Sequence, residues 1–199
     1  LALIESGLRP SALSSAKAKG YWQFVPGTAR IYGLKTGSSW DERADLQRST
    51  DGAISFLTEL RERFGSWPLA MAAYNTGPTR LSRAMRSQHV QDYWRLRLYR
   101  EAERYVPRVI AAKIIMRDLD KWGFADRTTP GWASQNVDYV RVVLKVRQHL
   151  ELKGVAKGGG LDYRALTSLN PELSRSRLNG PLSVVFEVPK GNANTFREW

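Results

Sequence analysis

The sequence predicts a mainly α-helical domain over residues 1–125, followed by a small α+β segment over residues 137–199. In the first part, apolar residues recur every three or four positions, which is the spacing of one helix face. Near Val142 and Val184 they alternate with other residues, which is the spacing of a strand. Between the two parts, residues 126–136 are polar and contain proline and glycine, a composition typical of a linker. A chain of 199 residues has room for one ordinary domain and a smaller one.

Helical spacing marks several segments of the first part. These are residues 1–8, 26–32, 53–64, 68–74 and 105–119. Gly7 and Gly65 stand where helices commonly end, and Pro26 and Pro68 stand where they commonly begin. The segment 68–74 is apolar on all sides and rich in alanine, so we expect it to be central and tightly packed.

The apolar pattern of residues 137–199 predicts the order β-α-α-β. Residues 140–146 and 184–188 have the pattern of strands, and each is close to turn-forming residues. Two helical stretches, 149–156 and 162–169, lie between them and are separated by three consecutive glycines.

Charge and composition exclude several classes of protein. The net charge of +12 favours anionic partners, but the basic residues form no arm or motif for nucleic acid, and we expect no nucleic-acid binding. The absence of cysteine excludes thiolate catalysis, and His89 and His149 lack the spacing of metal ligands, so no metal or cofactor is expected. The apolar runs are too short to span a bilayer. Because the sequence opens at Leu1 within a helical pattern, we expect a fragment whose targeting segment or membrane anchor lies outside it.

Glu5 is the most informative residue. It is the only acidic residue before Asp41, in a helix that is otherwise apolar, and a polar loop follows it. A partly buried carboxyl at such a helix end would keep its proton near neutral pH and could act as a general acid. A surface glutamate near a helix end is the alternative reading of Glu5 alone.

Four short segments together resemble the family 1 lytic transglycosylases of bacterial cell walls, which have a goose-lysozyme-like (SLT) catalytic domain. In chain order they are Ile4–Gly7, Gly20–Ala29, Ala72–Gly77 and Glu101–Val106. The aromatic pair Tyr21-Trp22 and the run Tyr105-Val106-Pro107 are most similar to the membrane-bound D type. The resemblance covers about residues 1–120 and implies a lysozyme-like helical fold.

The resemblance also implies a reaction. Glu5 would protonate the glycosidic oxygen between N-acetylmuramic acid and N-acetylglucosamine, and the muramoyl 6-hydroxyl would then attack to leave a 1,6-anhydro end. One carboxyl can act first as acid and then as base, unlike the two carboxylates of most glycosidases. Two other functions stay open: a lysozyme-like hydrolase that uses water, and a peptidoglycan-binding scaffold without turnover.

Carried over by position, the family's substrate contacts fall on Ser14, Gln23, Val25, Ala73, Tyr74, Asn75 and Tyr105. The resemblance implies that Ser14 and Tyr105 lie close to the catalytic carboxyl. Each has a structural alternative: Ser14 as a loop or capping residue, Gln23 as a buried amide, and Val25 or Tyr105 as part of the core.

The second part is similar to a degenerate LysM module, a class that binds N-acetylglucosamine chains. Residues 161–171 resemble its second helix and residues 186–189 its last strand, but residues 149–152 replace the usual Gly-Asp-Thr-Leu start. We therefore expect peptidoglycan strands as the partner, a periplasmic or cell-envelope location, and an active site contained within residues 1–125.

Overall fold

The computed structural model describes residues 1–124 and 138–198. The first of these ranges is helical. Its helices are α1 (Ala2–Ser6), α2 (Pro26–Ile31), α3 (Leu46–Phe64), α4 (Trp67–Thr76), α5 (Pro78–Gln88) and α6 (Arg100–Arg117). Single 3-10 turns at Glu42–Ala44 and Tyr93–Arg95 join some of them.

Local sequence explains where the two central helices begin and end. The Asp45 carboxylate accepts a hydrogen bond from the Arg48 N–H and starts α3, and Gly65 ends α3 in a left-handed conformation with φ of 77°. The Ser66 hydroxyl starts α4 in the same way by accepting from the Leu69 N–H. Both caps satisfy backbone groups that the helix itself leaves free.

Helix α4 lies at the centre of the helical domain, as its composition predicts. It packs against α3, α5 and α6, while α1 packs against α6. Leu69, Ala70, Ala72 and Ala73 are all buried. Because alanine is small, the neighbouring helices approach α4 closely and hold it in a defined place.

The second range is a small α+β unit. Its elements are β1 (Tyr139–Val146), β2 (His149–Glu151), α7 (Leu152–Gly158), α8 (Tyr163–Leu169), β3 (Arg177–Asn179), β4 (Leu182–Pro189) and α9 (Ala193–Glu198). Strands β1 and β4 pair antiparallel with Val142 opposite Phe186, and β2 pairs with β3. A separate core that includes Val142, Phe186 and Phe196 fills this unit.

The predicted fold class, a helical domain followed by an α+β segment, is confirmed. Several elements differ in detail. Residues 149–151 form a strand where we expected a helix to begin, because they pair with residues 177–179 far along the chain. Helices α5 and α9 and strand β3 were not predicted, and α6 ends at Arg117. The expected linker, residues 126–136, lies outside the described residues.

Candidate functional site

A cavity of about 350 Å³ opens where α1, α4, the start of α6 and the loop before α2 meet. Most of the residues expected to contact substrate line it. They are Glu5, Ser14, Gln23, Val25, Tyr74 and Asn75. The tertiary fold thus brings side chains from distant parts of the sequence to one surface.

The Glu5 carboxyl lies at the end of α1 and is held from α6. The Tyr105 hydroxyl donates a hydrogen bond to Glu5 Oε1, which ties α1 to α6. Gly7 ends α1 in a left-handed conformation with φ of 62°, so the chain turns away directly after Glu5. Of the two expected neighbours of the carboxyl, Tyr105 is therefore the one bonded to it.

Burial has the largest effect on the pKa of the Glu5 carboxyl. It raises the pKa of Glu5 above the ordinary value, the Tyr105 hydrogen bond lowers it, and the negative charge of Glu101 raises it again. The net pKa of Glu5 is raised, so this carboxyl keeps its proton to a higher pH than an exposed glutamate does.

Two tyrosine hydroxyls lie near this carboxyl as neutral hydrogen-bond donors. Burial raises the pKa of both Tyr74 and Tyr105, and the Glu5 charge raises each further. The Tyr74 hydroxyl donates to the Trp22 carbonyl oxygen at 2.7 Å, which fixes its ring beside the cavity. Tyr105 is buried in the helical core, so its ring packs in the core while its hydroxyl reaches Glu5.

The loop before α2 supplies a wall of the cavity, and its own hydrogen bonds shape it. The Ser14 hydroxyl oxygen accepts from the Ala18 N–H at 3.0 Å, so Ser14 stabilises the loop at the position where we expected a bond to the acid. The Gln23 side-chain nitrogen donates to the carbonyl oxygens of Ala12 and Gly20. Gln23 also has a φ of 50°, a left-handed backbone that is uncommon for this residue type and concentrates at functional sites.

The remaining predicted residues divide between the cavity and the core. Asn75 lies at the end of α4, where its side-chain oxygen accepts from the Tyr99 hydroxyl at 3.3 Å. Val25 is 39% exposed at the start of α2. Ala73 is fully buried in the helical core, where it supports α4 beneath the cavity.

Glu101 is a cavity residue that sequence reasoning missed. It lies in the first turn of α6 and lines the same cavity as Glu5. The sequence could have indicated Glu101, because it is the first residue of the fourth segment that carries the family resemblance. Thr28, in the second of those segments, also lines the cavity.

These groups suit a polar ligand with many hydroxyl groups. The two carboxyl groups of Glu5 and Glu101 and several hydroxyl and amide groups surround the space, and sugars are bound through such groups. Within residues 1–124 and 138–198, no three His, Asp or Glu side chains come close enough together to hold a metal ion. No helix in the described ranges has the length and hydropathy that a membrane span needs.

Comparisons with known proteins agree with the architecture. The family model described as the transglycosylase SLT domain matches residues 1–96. Membrane-bound lytic murein transglycosylase D of Escherichia coli is 33% identical over 207 aligned residues, which cover all of this chain and 44% of that protein. A putative soluble lytic murein transglycosylase of Haemophilus influenzae is 30% identical over 115 residues, or 54% of this chain and 19% of that protein.

A third relative is not named as a transglycosylase. It is a putative tributyltin chloride resistance protein of an Alteromonas species, 39% identical over 84 residues, which cover 42% of this chain and 41% of that protein. The aligned part of the chain spans less than half the length of each of these relatives. The SLT match and the whole-chain similarity confirm the resemblance that the four segments predict: residues 1–96 match the transglycosylase SLT domain, and the whole chain is similar to a lytic murein transglycosylase.

Proposed function

We propose that residues 1–125 are the catalytic domain of a peptidoglycan lytic transglycosylase in which Glu5 is the acid. One observation carries the proposal: a partly buried carboxyl with a raised pKa, bonded to Tyr105, opens into a cavity lined by hydroxyl and amide side chains. Such a carboxyl is protonated at a pH where an exposed glutamate is ionised, and a general acid requires this.

In the proposed reaction, Glu5 donates its proton to the oxygen that joins N-acetylmuramic acid to N-acetylglucosamine. The bond from muramoyl C1 to that oxygen breaks, and the substrate's own acetamido group stabilises the positive charge at C1. The muramoyl 6-hydroxyl then attacks C1 and gives its proton to the Glu5 carboxylate. The product carries a 1,6-anhydro ring, and Glu5 returns to its protonated form.

The other cavity residues would position the sugar. Gln23, Tyr74 and Asn75 present amide and hydroxyl groups at the cavity, while Val25 offers an apolar surface to a sugar ring. Ser14 would act through the shape of the loop that it stabilises. Ala73 would contribute only by packing beneath α4.

A hydrolase is the second candidate, because Glu101 places a second carboxylate at the cavity. Two-carboxylate glycosidases use the second group to activate water or to form a covalent intermediate. In a transglycosylase, Glu101 would instead help to raise the pKa of Glu5 through its negative charge.

Digestion of purified peptidoglycan, followed by mass spectrometry, tests the proposal. Anhydro ends indicate a transglycosylase, reducing ends a hydrolase, and intact glycan a scaffold without turnover. Glu5→Gln is expected to reduce cleavage by about 10²- to 10⁴-fold, the usual contribution of general acid catalysis. Glu62→Gln, on the exposed face of α3, is the matched control and should cleave at the wild-type rate. Wild-type cleavage by Glu5→Gln would refute the assignment.

We further propose that the protein works in the cell envelope and that residues 137–199 are a LysM-like segment that binds glycan. The name of the membrane-bound Escherichia coli relative supports the first proposal. The antiparallel pair of β1 and β4, which encloses α7 and α8 in the chain order β1-β2-α7-α8-β3-β4, supports the second. Titration of the Glu5→Gln chain with an N-acetylglucosamine oligomer, followed by amide NMR shifts, tests the binding. Shifts confined to residues 1–124 would contradict it.

A further inference from the structure

A turn of the C-terminal unit, Pro171–Ser174, lies against the helical domain. The Asp41 N–H donates to the Glu172 carbonyl oxygen at 2.9 Å, and the Ser174 N–H donates to the Ser39 carbonyl oxygen at 3.0 Å. These bonds form a short antiparallel bridge between Trp40 and Leu173. The Trp40 side chain also packs against the C-terminal core, so the contact has an apolar part as well.

The bridge ends at a buried ionic network in the helical domain. The Asp41 carboxylate is 4% exposed and accepts two hydrogen bonds from the Arg43 guanidinium, at 2.9 and 2.7 Å. Lys19 Nζ lies 3.4 Å from the same carboxylate and donates to the Ser174 hydroxyl oxygen at 2.8 Å. Lys19 therefore contacts the turn and the network at the same time.

This network holds the loop that lines the cavity. Arg43 Nη1 donates to the carbonyl oxygens of Lys17 and Phe24 at 2.7 and 2.9 Å. Gly20 lies so close to Arg43 that a Cβ atom there would approach the Arg43 carbonyl oxygen to 1.8 Å. Two cavity residues, Ser14 and Gln23, belong to this loop.

A continuous set of contacts thus leads from the turn to the cavity wall. It passes from Ser174 to Lys19, and from Glu172 to Asp41 and Arg43, before it reaches the loop. Lys19 and Asp41 belong to the helical domain, and each is hydrogen-bonded to the turn. The loop is therefore connected by hydrogen bonds to groups outside the helical domain.

We propose that the turn Pro171–Ser174 is a positioning element for the cavity, which holds loop 12–24 in its substrate-binding shape through Lys19 and Asp41. The catalytic part of this proposal rests on the proposed function. It departs from an active site contained within residues 1–125, because the C-terminal unit then affects cleavage of short soluble glycan as well as of intact wall.

Hydrogen exchange of the full chain without substrate tests the positioning step by itself. We compare Ser174→Ala and Lys19→Met with Ser87→Ala, which removes an exposed hydroxyl on α5. The Lys19–Ser174 hydrogen bond is exposed, so exchange at the Ala18 and Lys19 amides should rise about two- to tenfold, the range expected for loss of a typical intramolecular hydrogen bond. Exchange in α4 and in Ser87→Ala should stay at the wild-type rate, and Lys19→Arg should restore slow exchange.

Steady-state cleavage of a soluble glycan oligomer tests the consequence. Displacement of Ser14 and Gln23 should raise KM several-fold in Ser174→Ala and more in Lys19→Met, with kcat nearly unchanged because Glu5 lies on α1. A purely structural loss would lower the active fraction, and so kcat, without a change in KM.

The hydrogen-exchange and cleavage experiments distinguish the positioning proposal from the proposed function. An inactive wild-type chain with faster loop exchange in the variants would refute the proposed function and leave the positioning intact. Wild-type exchange at Ala18 and Lys19 in Ser174→Ala, which removes one hydroxyl and should fold, would overturn the positioning proposal.

Discussion

Tyr105→Phe isolates the hydrogen bond that controls the Glu5 carboxyl. The change removes one hydroxyl and keeps the ring that packs in the helical core. A hydrogen bond to a charged group contributes about 1.5–3 kcal/mol, and about 1.4 kcal/mol corresponds to one pKa unit. The bond stabilises the ionised carboxylate, so its loss should raise the pKa of Glu5 further.

The sign of this shift determines the expected pH profile. Glu5 has to be protonated to act as the acid, and a higher pKa keeps it protonated to a higher pH. The alkaline limb of kcat/KM should therefore move to higher pH in Tyr105→Phe. The assay is the initial rate of anhydro-product release from a soluble glycan oligomer between about pH 4 and pH 9.

A matched tyrosine–glutamate pair that does not line the cavity provides the control. The Tyr32 hydroxyl donates to Glu59 Oε2 at 2.8 Å on an exposed surface, so Tyr32→Phe makes the same chemical change elsewhere. Its pH profile should match the wild type. An alkaline limb in Tyr105→Phe that stays in place or moves to lower pH would refute this account of the acid.

Three further outcomes follow from the structure and the charge. Gly20→Ala should lower the free energy of unfolding by several kcal/mol more than Gly7→Ala in urea titrations, because both have positive φ but only Gly20 faces a backbone atom; equal losses would contradict this. Burial raises the pKa of Glu172 to about 8 from 4.5, so the stability that this group contributes below about pH 4.5 is lost as pH rises through about 8. Glu172→Gln should flatten that decline in unfolding experiments, and an unchanged slope would argue against a neutral Glu172. Binding to purified sacculi should weaken with salt because the net charge is +12, and retention unaffected up to about 1 M salt would exclude a role for charge.

Sequence alone determined the features that depend on local pattern. The 3.6-residue spacing, the helix end at Gly65 and the helix start near Pro68 predicted α4 and residues 53–64 of α3, since these signals lie within a few residues of one another. The alternation near Val142 and Val184 predicted the main strands for the same reason. The motif order also placed Glu5, Gln23, Tyr74 and Asn75 at one site by resemblance to the family.

Tertiary structure decided the features that join residues far apart in sequence. Strands β2 and β3 have three residues each, too few for a recognisable period, and they form because they pair with each other. The motif order likewise could not indicate that Ser14 bonds its own loop, because its partner depends on the path of the backbone. The bridge of Trp40 to Leu173 has no signal in any local window. Contacts of this kind depend on which surfaces meet after the helices and strands have packed, and only the folded chain specifies them.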